Sequence, residues 1–215
     1  MTVYRGANPF DQLTPVVRRL LVANVGVFFL QMVFPDQMLT QFGLLPADIV
    51  QNYKVWQVVT YAFLHGNGWH LFFNMFALWM FGPHIEGIWG SRRFTAYYFL
   101  CVVGAALAQF AIAPKMLVVG ASGAIYGVLL AFGFLLPDAV IYLFFFFPVR
   151  AMQAVIFIAA LTFVSALSSG GSRVAHFAHL GGMFTGFLYF KIPEWTERLR
   201  YRRLGQMFSK PKGRP

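Results

Sequence analysis

Residues 120–136 read Gly-Ala-Ser-Gly-Ala-Ile-Tyr-Gly-Val-Leu-Leu-Ala-Phe-Gly-Phe-Leu-Leu. The run is apolar almost throughout, yet it sets a hydroxyl, Ser122, at its head and a phenol, Tyr126, one helical turn later. Gly123 and Gly127 repeat the same spacing, the small-xxx-small pattern that lets two apolar helices approach closely. A serine alone in such a helix commonly bonds its own preceding turn, so the stretch gains meaning only from the rest of the chain.

Two other apolar runs are built the same way. His70 and Asn74, four residues apart, stand at the head of the run Leu71 to Trp89, and His179 heads Phe177 to Ile192 above Gly182 and Gly186. Further apolar runs occupy Leu20 to Phe34, Phe94 to Ala113 and Val149 to Leu167. With 59% hydrophobic residues, 11% charged and 26 Phe in 215 residues, the chain holds more apolar surface than a water-soluble domain of this size buries. It reads as an all-α polytopic membrane protein, a bundle of six transmembrane helices, with Val140 to Phe147 as a candidate seventh short element.

The net charge of +10 is compatible with nucleic acid, but its placement points to a membrane. With both termini inside, fourteen of the seventeen Lys and Arg fall on inner segments, and only Lys54, Lys115 and Arg173 fall outside. That bias sets the orientation N-in and C-in. Residues 1–19 read as a cytoplasmic lead-in, 20–192 as the helical domain and 193–215 as a basic tail against anionic headgroups, with no nucleic-acid partner. The outer connection between the first two spans, Pro35 to about Gly68, is large; Trp56, Tyr61 and Trp69 suit a partly embedded loop. Cys101, the only cysteine, forms no intramolecular disulfide and reads as a small buried hydrophobe. No internal repeat stands out.

From a cytoplasmic N-terminus, spans two, four and six all run from outside to inside. Their polar heads, His70, Ser122 and His179, therefore share one level just below the outer surface. Ionisable groups inside a membrane are expensive and default to a functional reading. Free amides and the positive dipole end at a helix N-terminus favour a developing anion there. A channel or transporter would spread such groups along a path through the bilayer instead. His84, near the inner end of span two, reads as interfacial.

These residues carry a family resemblance. His70-Leu71-Phe72-Phe73-Asn74, Gly120-Ala121-Ser122-Gly123 with Tyr126, and Ala178-His179-Leu180-Gly181-Gly182 with Gly186 resemble, in order and separation, the motifs of the rhomboid family of intramembrane serine proteases. His65, Gly82 and Glu86 fit the same pattern around span two. The resemblance runs from about Trp56 to Gly186 and implies the compact prokaryotic type with a six-helix core. It implies Ser122 as nucleophile and His179 as general base, without a carboxylate. His70, Asn74 and the Ser122 amide would form the oxyanion hole, and Tyr126 would stack on the His179 ring.

The resemblance also implies endopeptidase action on transmembrane-helix protein substrates, no cofactor, and a multi-pass plasma membrane location with the site opening outward. Helix five, with Phe157 and Phe163 toward lipid, and the run Ser168-Ser169-Gly170-Gly171-Ser172 are the expected gates. His176 competes with His179 as base but lacks the register with Gly182 and Gly186; the pair at three-residue spacing is a weak metal candidate, and none is assigned. Trp56-Gln57 stands where rhomboids commonly carry Trp-Arg, so a loop anchor is expected to be missing. Ile141 to Phe147 resembles the connection before rhomboid helix five and needs protein partners for its backbone if it dips into the inner leaflet. A catalytically silent scaffold binding membrane proteins is the alternative, disfavoured by the retained Ser122 and His179.

Overall fold

The computed structural model describes residues 13–143, 146–168 and 176–192. The tail 193–215, most of the lead-in and residues 169–172 of the expected gate lie outside them. In chain order the elements are α1 (Pro15–Val33), α2 (Pro35–Phe42), α3 (Pro46–Asn52), α4 (Gln57–Thr60) with a 3-10 turn Tyr61–Phe63, α5 (Gly68–Trp89), α6 (Ser91–Ile112), α7 (Ser122–Leu135), strands β1 (Val140–Leu143) and β2 (Phe147–Arg150), and α8 (Ala151–Ser168). A last helix, α9, covers residues 176–192.

A helix lies over each of the six apolar runs. Among the described residues, α1 and α6 have both the length and the hydropathy to cross a bilayer, while α7 and α8 are shorter apolar helices. Outward faces are strongly apolar: Phe29, Phe73, Leu107, Phe157 and Phe184 are each more than half exposed. Burial instead follows close contacts between α5, α6 and α7, with α1 packed on α5 and α8 on α7. Phe94, Tyr97, Tyr98, Cys101 and Val102 of α6 are fully buried, which makes α6 the centre of the bundle.

Glycine and alanine allow that density. A Cβ at Gly127 would strike Cys101 of α6, one at Gly123 would strike Ala105, and one at Gly182 would enter the Gly123 backbone, so α7 and α9 touch main chain to main chain. Gly186 faces the Tyr97 hydroxyl, which donates to the Gly127 carbonyl at 2.7 Å. The four glycines therefore serve a three-helix junction with α6, broader than an α7–α9 pair. Gly104 against Thr185 and Gly181 against Ala108 extend it.

At the opposite end, α1 begins with Pro15 at its first position, where the missing N–H is harmless. The Val16 and Val17 amides donate to the buried Glu86 carboxylate of α5 at 3.0–3.2 Å, and the Ser91 hydroxyl donates to it at 2.6 Å. A carboxylate at a helix N-terminus meets both free donors and the positive dipole end. Glu86 thus joins α1, α5 and α6 at this end of the bundle.

Two expectations change. The run from Val140 is not helical: β1 and β2 form an antiparallel hairpin with Val140 opposite Arg150 and Leu143 opposite Phe147, so the chain is mostly helical but not all-α. Cross-strand pairing of β-branched and aromatic residues satisfies backbone groups that an irregular apolar loop would leave open. The connection between α1 and α5 is folded into short helices, two of them opening on proline at the first turn. Trp56 and Trp69 are exposed, but Tyr61 is buried and its hydroxyl donates to the Val102 carbonyl of α6 at 2.8 Å, so it is a core tie and not an interfacial aromatic.

Gln57 fills the position expected to lack an anchor. It is fully buried, and its Oε1 accepts the Leu45 amide at 3.1 Å. Trp56 Nε1 donates to the Gln41 carbonyl at 2.8 Å, and Lys54 donates to Asp48 at 2.8 Å and to the Thr40 carbonyl at 3.0 Å. The Lys54 ammonium holds the Asp48 carboxyl below its usual range. Gln31 of α1 clasps the other end of the connection, donating to the His65 carbonyl at 2.7 Å and accepting the His65 amide at 3.0 Å.

Candidate functional site

Ser122 opens α7 immediately after Ala121, so its amide is one of the helix's free N-terminal donors. Gly120 makes this entry possible: its φ of 125° is open to glycine and disfavoured for L side chains, and its amide is fixed by the Tyr61 carbonyl at 2.9 Å. His179 sits in the first turns of α9. Contact between Gly182 and Gly123 brings the two helix heads together, and His179 Nε2 lies 2.7 Å from Ser122 Oγ.

That distance is a hydrogen bond, and its direction follows from chemistry. A neutral imidazole accepting the serine proton at Nε2 carries its own proton at Nδ1. Buried Nδ1 has no hydrogen-bond partner among the described residues, so no described carboxylate orients the ring. Packing does so instead. Tyr126, one turn below Ser122, stacks on the imidazole with centroids 4.6 Å apart and planes 12° from parallel, and its hydroxyl lies 2.9 Å from Thr162 Oγ1 on α8. His176 meets His179 edge-on at 6.1 Å. Among the described residues no cluster of His, Cys, Asp or Glu is arranged to hold a metal.

His70 approaches from α5. A Cβ on Gly120 would lie 2.7 Å from both His70 Cε1 and Nε2 and 3.6 Å from Ser122 Oγ, so the imidazole edge and the hydroxyl border one small space above a bare glycine. The Gly66 amide donates to His70 Nδ1 at 3.3 Å, which leaves the neutral ring's proton on Nε2, the edge facing that space. The His70 amide is capped by Asn67 Oδ1 at 2.9 Å. Asn74 lies on the same helix and is buried; its amide donates to the His70 carbonyl at 2.9 Å and retains a second N–H. His65 packs edge-on to His70 at 5.1 Å, and burial followed by the neighbouring His70 pushes its pKa down to about 4.

Ser122, His179, Tyr126 and His70 thus meet. Asn74 lies one turn below His70 with its amide engaged in its own helix, and the four glycines support the junction. The sequence gives no sign of Gln31 or Thr162, marks Tyr61 only as a loop aromatic, and marks Gln57 only by the arginine it replaces. Buried glutamines in apolar surroundings are the signal that would have found two of them, because such amides need partners.

A group with an accepting imidazole on a hydroxyl, beside an imidazole N–H and a free helix amide, can attack a carbonyl and stabilise the resulting anion. The Rhomboid domain family matches residues 52–193. The chain is 37% identical over 202 residues to Rhomboid protein 1, mitochondrial, of Saccharomyces cerevisiae, covering 88% of this chain and 56% of that one. It is 30% identical over 185 residues to RHOMBOID-like protein 12, mitochondrial, of Arabidopsis thaliana, covering 78% and 55%. It is 32% identical over 155 residues to Rhomboid protease GluP of Bacillus subtilis, covering 69% and 28%. The chain therefore spans little more than half the length of the first two relatives.

Proposed function

The chain belongs to the rhomboid family, and from that premise we propose that it is an intramembrane serine endopeptidase with Ser122 as nucleophile and His179 as general base. The observation that supports this reading is the 2.7 Å contact between His179 Nε2 and Ser122 Oγ under the stacked Tyr126 ring.

His179 takes the Ser122 proton as Oγ attacks the peptide carbonyl carbon. The oxyanion is met by the His70 Nε2–H, the free Asn74 N–H and the Ser122 amide. Collapse returns the proton from His179 to the leaving amine and leaves an acyl ester on Ser122. Water, activated by His179, then releases the acid product. Each oxyanion donor contributes roughly 3 kcal/mol, on the order of 100-fold or more in rate.

The substrate is a transmembrane helix, whose internal hydrogen bonds must open locally before a carbonyl can reach Ser122. Small and helix-weakening residues near the cut are favoured for that reason. An apolar groove of about 350 Å³ lies between α5 and α8, lined by Phe73, Phe76, Val155 and Ile158 among others. It offers lateral access, with α8 as the moving wall. The chain takes the six-span N-in, C-in arrangement with an embedded outer loop, a lead-in 1–19, a catalytic domain 20–192 and a basic tail 193–215. A 14-residue α7 rises about 21 Å, roughly 9 Å less than the hydrocarbon thickness, so its head can lie submerged while its foot reaches the inner face. We place the protein in a plasma membrane, its site opening extracytoplasmically; fractionation with mitochondria would reassign it.

The deciding experiment measures cleavage of a panel of helix-containing membrane substrates in liposomes by the native chain, Ser122→Ala and His179→Ala. Native cleavage lost in both variants supports the dyad. Equal cleavage in all three refutes it, and a folded native chain inert on every substrate and toward a serine-reactive fluorophosphonate would favour the silent scaffold.

A further inference from the structure

Away from the serine, α6 and α9 run antiparallel and leave an open groove of about 440 Å³, lined by Arg93, Leu100, Thr185, Leu188, Tyr189 and Ile192. Arg93 and Leu100 are two helical turns apart on one face of α6, and Leu188 and Ile192 one turn apart on α9. In the orientation proposed above, on which this inference rests, Arg93 lies at the inner membrane surface. The apolar part then rises about 10 Å toward the bilayer centre.

The guanidinium is fixed in place. It lies 4.7 Å over the Trp89 ring and 5.5 Å from the Tyr189 ring centroid, and its Nε donates to the Tyr189 hydroxyl at 2.8 Å. That hydrogen bond uses one donor of five and leaves the terminal nitrogens, the edge that grips a phosphate in bidentate fashion. Among the described residues no carboxylate pairs with Arg93. Arg92, the preceding residue, adds a second cation at the same level of α6, outside the groove lining. A held cation at the mouth of an apolar trough matches a molecule with an anionic head and a hydrocarbon tail. An apolar protein helix, unless it carried an acidic residue at that level, would leave the trough's charged end without a partner of opposite sign.

We propose that the α6–α9 groove binds an anionic phospholipid of the inner leaflet, its phosphate on Arg93 and the upper part of one acyl chain along Leu100, Leu188 and Ile192. Basic pockets between membrane helices on the cytoplasmic side suit such headgroups. The site is built on the same two helices as the Gly104–Thr185 and Gly181–Ala108 contacts, so an occupied groove buttresses α9, which carries His179.

The test uses the full chain in neutral detergent, titrated with phosphatidylglycerol, phosphatidylcholine or glycerol phosphate, with retained lipid counted by native mass spectrometry. Phosphatidylglycerol is expected to be retained preferentially and glycerol phosphate not at all. Arg93→Gln should weaken retention roughly fivefold, about the worth of one arginine at an anionic surface. Leu188→Trp should weaken it by filling the trough, and Arg92→Gln should do so less than Arg93→Gln. Equal retention of the two lipids, or an Arg93→Gln variant indistinguishable from native, overturns the proposal. Glycerol phosphate binding as well as lipid would reduce the site to a plain anion site and overturn it too. Retention is read without any substrate, so its failure leaves the protease reading intact, and loss of cleavage leaves the lipid site intact.

Discussion

Replacing Gly182 with alanine isolates what the helix junction contributes to the reacting pair. The new Cβ would lie 2.6 Å from the Gly123 carbonyl carbon and 3.0 Å from its Cα, and closer still to the carbonyl oxygen. These are backbone atoms of a packed helix, so no side chain can swing aside. Restoring ordinary carbon contacts of about 3.5–4.0 Å requires α9 to retreat from α7 by about 1 Å. His179, three residues earlier on the same face of α9, moves with it, and a 2.7 Å hydrogen bond opens to near 3.7 Å, beyond bonding range. A 1 Å misplacement of a catalytic group can cost about 100-fold in rate, and overpacking a tight site costs roughly 1–3 kcal/mol of stability. The control is Gly87→Ala, whose Cβ meets nothing within 4 Å and which should gain helix propensity. Initial rates on a helical substrate, together with fluorophosphonate labelling of Ser122, read the effect at a temperature where both variants remain folded. A Gly182→Ala variant cleaving at the native rate would refute the claim that this main-chain contact sets the serine–histidine distance.

Asn74→Ala is expected to lower the cleavage rate on the order of 100-fold with little change in apparent substrate binding, as for an oxyanion donor; an unchanged rate would remove Asn74 from the mechanism. Glu86→Gln should lower the melting temperature by weakening the charge-assisted cap on α1, while Ser122 labelling below the transition stays native. His65, held neutral by burial with a pKa of about 4 against 6.5 for an exposed histidine, makes the native state bind fewer protons than the unfolded one between those values. Stability should therefore be full above about pH 6.5 and fall as the pH drops toward about 4, and His65→Gln should flatten that slope in melts across the range. Gln57→Ala should destabilise the outer connection by roughly 1–3 kcal/mol through the orphaned Leu45 amide, seen as faster proteolysis between residues 35 and 60.

The helices were legible because long apolar runs admit few other structures, and Ser122, His70 and His179 because polar groups at the heads of such runs are costly to keep. Tyr61 was misread because one sequence property, an aromatic ring with a polar edge, suits an interface or a core carbonyl equally well; only the position of Val102 decides. The hairpin from Val140 was hidden for a similar reason. Its length and hydrophobicity fit a short helix, and the deciding factor is the pairing with Phe147–Arg150. Gln57 reads in the sequence as a missing charge, whereas a neutral amide anchors a buried loop through its hydrogen bonds. The breadth of the glycine junction, drawing in Gly104 and Gly181, depends on α6 lying between partners, which no local pattern reports.

The Glu86 carboxylate has a bearing on biosynthesis. The groups it satisfies, the Val16 and Val17 amides, lie 70 and 69 residues earlier in the chain. A ribosome adding about 5–20 residues each second delivers α1 several seconds before its cap exists. During that interval the first helix is without the contact that finishes its N-terminal end, and a chaperone or the insertion machinery has a free helix terminus to hold. Arrival of α5 ends that window, so the order of synthesis, and not only the final packing, decides when the first helix becomes committed to its place.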